Sequence, residues 1–143
     1  MAAGAWTFTA TSRSKFLSGQ FAVGDTYKMA LFLSTSNLST ASTTFAGCTN
    51  EVGVTNTGYS AGGASIAMTD SGTTTVTQVI TTAPVWTAGS ANLTAKWAAI
   101  YEVGGDVLAF ALLDSGGDVN FWEGGWLESE MQRWVARADR SPR

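Results

Sequence analysis

Two carboxylate pairs, Asp114/Asp118 and Glu128/Glu130, are the first residues whose type and spacing bear on catalysis. A glycoside-cleaving site needs two carboxyl groups facing each other across a cleft. The first pair lies in a Gly-rich turn and the second opens an amphipathic segment, so nothing in the pattern sets either pair face to face. Serines and threonines are abundant, but the chain has no histidine, which removes the commonest activating base and the commonest metal ligand. Lys15, Lys28 and Lys96 are scattered along the sequence. Cys48 is the single cysteine, so neither an internal disulfide nor a cysteine-based zinc site is available. It also lacks a basic sequence neighbour to activate its thiol. Gly58-Tyr59-Ser60-Ala61-Gly62-Gly63 is glycine-rich without the Lys-Ser/Thr of a phosphate loop, and reads as a turn. The expectation is a protein that binds and does not catalyse, with no cofactor and no metal.

The elements that would carry these residues come next. At 143 residues and 45% hydrophobic content the chain suits a real core, while its 13% charged content is low for a free monomer. Ser, Thr, Gly and Ala fill the polar positions instead, a composition suited to proteins that live inside assemblies. The net charge of −3 argues against a nucleic-acid surface. No signal peptide and no apolar run of transmembrane length is visible.

Asn92–Asp114 reads as one hairpin around Gly104-Gly105, with Glu102 opposite Val107. One face, Trp97, Ala99, Tyr101, Leu108 and Phe110, is aromatic and expected in the core. The other, with Ala98, Ile100, Ala109 and Ala111, is narrow and expected against a second layer or another subunit. Trp6–Thr9 alternates as a strand with its aromatics inward, and Thr26–Ser34 and Thr73–Thr82 also read as strands. Ser12–Ser18 fits either a short helix or a bulged strand ending at Gly19. Leu127, Met131, Trp134, Val135 and Ala138 follow helical spacing, with Glu128 and Glu130 early and Arg133, Arg137 and Arg140 late. That pattern predicts a short amphipathic helix over Leu127–Ala138.

Several short strands with Gly and Ser turns predict an all-β chain, an antiparallel sandwich or small barrel of jelly-roll or Ig-like kind, with a short C-terminal helix. The expected division is a β-sandwich domain over 1–118 and a Trp/Arg-rich tail over 119–143. Trp122, Trp126, Leu127, Met131, Arg133, Trp134 and Arg137, with Ala98, Ala109 and Ala111, are the candidate interface residues, since Trp and Arg are enriched at interface hot spots. The tail tryptophans either cap their own subunit or dock on a neighbour. They are the expected cover of the alanine face.

Gly24-Asp25-Thr26-Tyr27-Lys28-Met29-Ala30-Leu31-Phe32, then Thr49-Asn50-Glu51-Val52, then Gly58–Gly63, resemble in order and spacing the "GDTYK-x-ALF" and "TNEV…GYTAGG" steps of small structural proteins encoded in tailed-phage genomes. Pro84–Ala88, Thr94–Tyr101 and Ala109–Asp114 fit the same order, so the resemblance runs from about Trp6 to Asp118. It implies a virion structural protein placed on the head or tail, with no catalytic residues to carry over. The chain departs from those proteins after Asp114, where further Thr/Val-rich strands give way to the Trp/Arg tail. The resulting expectation is a capsid decoration or cement protein in the virion. It would bind the major capsid protein or other virion proteins as a homo-oligomer, expected to be a trimer. The alternative is a tail or fibre component acting as an adhesin, for which Trp86, Tyr59 and Trp122 are the candidate glycan-stacking rings.

Overall fold

The computed structural model describes residues 5–20, 25–71, 77–82, 84–113, 119–121, 126–130 and 133–136; for 70, 71, 77–79 and everything after 113 it describes the backbone path alone. The strands are β1 (Thr7–Phe8), β2 (Tyr27–Phe32), β3 (Ala64–Ser71), β4 (Thr77–Thr82), β5 (Val85–Thr87), β6 (Leu93–Ala95), β7 (Trp97–Glu102), β8 (Val107–Leu112), β9 (Val119–Phe121), β10 (Trp126–Glu130) and β11 (Arg133–Ala136), with one α-helix, α1 (Ala10–Leu17). The main sheet has the order β1-β8-β7-β2-β3-β4, and every pairing in it is antiparallel. A three-stranded sheet β11-β10-β5 and a two-stranded sheet β6-β9 make up the rest. The protein is therefore all-β and sandwich-like, as its strand spacing predicts.

The β7–β8 hairpin lies inside the main sheet, flanked by β2 and β1. Ala99 opposes Phe110 and Trp97 opposes Leu112, which is the expected register. Nearer the turn a bulge between Ile100 and Tyr101 brings Tyr101 opposite Val107. Gly104 takes φ 77° there, the left-handed value that glycine adopts at low cost.

Both faces of the hairpin are buried, and of the two settings expected for the alanine face the structure shows the second layer of the same chain. Ala98, Ile100 and Ala109 join Tyr27, Met29 and Leu31 in the larger core cluster, under Trp86, Leu93 and Ala95 of β5 and β6. Ala111, opposite Ala98, is buried as well. The narrow alanine face is thus the one against which this chain's own second layer packs. Small side chains let that layer approach closely. The aromatic face forms the smaller cluster, Phe32, Tyr101, Val107 and Phe110, covered by Leu38 and Phe45 from the segment between β2 and β3. Phe45 stacks on Tyr101 with ring centres 3.8 Å apart.

The ambiguous Ser12–Ser18 segment is helical. Thr9 caps α1, accepting from the Ser12 N–H at 3.1 Å while its own hydroxyl donates to the Val107 carbonyl at 2.9 Å. At the other end Gly19, with φ 71°, donates to the Phe16 carbonyl and Gln20 to that of Lys15, a Schellman closure. Over Trp6–Thr9 the expected sidedness fails at two positions: Phe8 is exposed against the edge of Phe16, and Thr9 is fully buried as the cap.

The tail is a correction. In place of a helix over Leu127–Ala138 the backbone forms a β10–β11 hairpin, with Leu127 opposite Ala136 and Glu130 opposite Arg133. The one α-helix of the described residues lies near the N-terminus. Trp126-Leu127-Glu128-Ser129 and Arg133-Trp134-Val135-Ala136 also fit an extended ladder, and aromatic and β-branched residues favour strands. The open edge of β5 supplies a template for such a ladder, which a propensity argument on the isolated segment cannot include.

Candidate functional site

A polar cluster of the described residues sits where the outer edge of β2 divides. Tyr27 to Met29 pair with Ile66 to Ala64 of β3. Beyond them the same edge is taken by a different segment: the Val52 N–H donates to the Leu31 carbonyl at 3.0 Å, and the Leu33 N–H to the Asn50 carbonyl at 2.9 Å. The Leu31 N–H falls between the two partners. It donates instead to the Tyr59 hydroxyl at 3.0 Å, deep in the core. That hydroxyl donates its own proton to Glu51 Oε1 at 2.7 Å, and the same oxygen accepts the Gly62 N–H at 2.6 Å. Tyr101, from β7, donates to the Gly62 carbonyl at 2.6 Å.

Local sequence explains the fit. Gly58, Gly62 and Gly63 all take positive φ. Gly63 passes so close to β2 that a Cβ there would lie 1.9 Å from the Met29 carbonyl oxygen, so only glycine is admitted.

Burial, and next its hydrogen bond to Glu51, pushes the Tyr59 phenol far above the ordinary tyrosine range. Burial, and next the Glu51 charge, raises Tyr101 as well. Both phenols hold their protons throughout the neutral range, and the proton of Tyr59 is committed to Glu51. The cluster fastens the 50–52 and 58–63 segments to β2 and β7.

The other candidates are separated in space. Lys15 pairs with Asp106, joining α1 to the β7–β8 turn. Lys96 lies over the Trp97 ring at 5.5 Å. Cys48 edges a depression of about 160 Å³ lined also by Asn37, Ser39, Ser42, Thr43 and Thr44, small beside the roughly 300–1,000 Å³ of ligand pockets. Burial pushes its thiol up, against a hydrogen bond with Ser42. Among the described residues no three His, Cys, Asp or Glu side chains group as metal ligands, and no helix is long and apolar enough to cross a membrane.

Of the sequence-predicted interface residues, Ala98, Ala109 and Ala111 are buried within this subunit. Trp126 and Leu127 lie on β10 and Arg133 and Trp134 on β11, where the backbone alone is described; Trp122, Met131 and Arg137 lie outside the described residues. The register seats Leu127 opposite Trp86, joining the tail to the layer that covers the alanine face. Of the three rings considered for glycan stacking, Tyr59 and Trp86 are 3% and 4% exposed, which leaves a sugar no face to stack on; Trp122 is outside the described residues. Asp114 and Asp118 are outside them too. Sequence reasoning passed over Glu51 and Tyr101 as site residues. The available signal was an acid in Thr49–Val52 followed eight residues later by a tyrosine inside a glycine run.

Comparison of the chain with protein-family models, with curated proteins and with solved structures found no match.

Proposed function

We propose that this chain is a structural component of a tailed-phage particle, decorating or cementing the capsid by non-covalent binding to shell subunits. One observation carries the reading. The segments that resemble phage structural proteins are the ones that hold this fold together. Tyr27–Phe32 is β2, Asn50–Val52 and Gly58–Gly63 clasp its divided edge, Val85–Thr87 is β5, and the remaining two segments supply β6, β7 and β8. Residues shared for such a reason report a common architecture and not a common reaction. The low charge and the Ser/Thr/Gly-rich composition suit a protein that works within an assembly.

In this reading the sandwich rests across shell subunits as a homo-oligomer, a trimer in the simplest decoration scheme, and stiffens the shell against the pressure of packaged DNA. Labelling of intact particles tests it. The expected result is label over the shell and a copy number approaching that of the major capsid protein. A label confined to the tail at low copy number overturns the reading.

A further inference from the structure

We draw no further inference here: the strongest candidate, the outer edge of the uncharged strand β4, whose one sheet partner among the described residues is β3, carries none because nothing in the structure shows what covers it.

Discussion

Tyr59 is a side chain doing the work of a strand. Its hydroxyl satisfies the Leu31 N–H, which neither neighbour of β2 reaches, and passes its proton to Glu51. Tyr59→Phe leaves a buried amide and a carboxylate oxygen short of a partner, and is expected to cost about 1–3 kcal/mol, read from denaturant unfolding midpoints. Gly63→Ala should be worse. It adds a clash with the Met29 carbonyl to a φ of 78°, and a loss of at least ~3 kcal/mol is expected in the same assay. The raised phenols give a pH dependence. An unfolded chain releases tyrosine protons near pH 10, whereas folded Tyr59 and Tyr101 hold theirs to higher pH. The folded state then binds more protons, so stability is fully present below about pH 10 and is lost as pH rises beyond it. Unfolding midpoints between pH 8 and 11 should show this fall, and Tyr59→Phe should flatten it.

At the scale of elements, α1 is fixed by its ends more than by its faces. Leu17 is 93% exposed, and Ser12 is the helix's one fully buried residue. Thr9→Ala removes the cap and the bond to Val107 together, and is expected to cost about 1–2 kcal/mol, with loss of helical signal in circular dichroism. Strands of high β-propensity, such as Thr26–Ser34, were legible because periodicity and composition agreed. The C-terminal segment misled because a helical spacing of Leu127, Met131 and Trp134 coexists with a ladder pattern, and an open β5 edge decides between them. The hairpin's two faces were recognised, but the cover of the aromatic one was not. Large aromatics signal a core without saying which cover lies over them. Here a Ser/Thr-rich loop with no periodicity supplies that cover through Leu38 and Phe45.

At the scale of the molecule, the sheet is held from both sides, by the second layer on the alanine face and by the 33–50 segment on the aromatic face. Ending the chain after Phe121 removes β10 and β11 and uncovers the outer edge of β5. The expected product keeps the β-rich circular dichroism of the main sheet but unfolds at a lower denaturant concentration, since Trp86 loses the strand beside it. The polar clasp was not legible as a site, because its members come from distant segments and are brought together by the pairing of β2 with β7.

The divided edge of β2 also sets which parts of the fold can come apart separately. One stretch of that edge depends on β3 and the next on Asn50–Val52, so fraying of the β3–β4 ribbon need not release the segment beside it. In amide hydrogen–deuterium exchange, Leu31 sits at the seam, shielded by a phenol instead of a backbone carbonyl. Its exchange rate therefore monitors the Tyr59 loop from inside one of the two central strands of the main sheet.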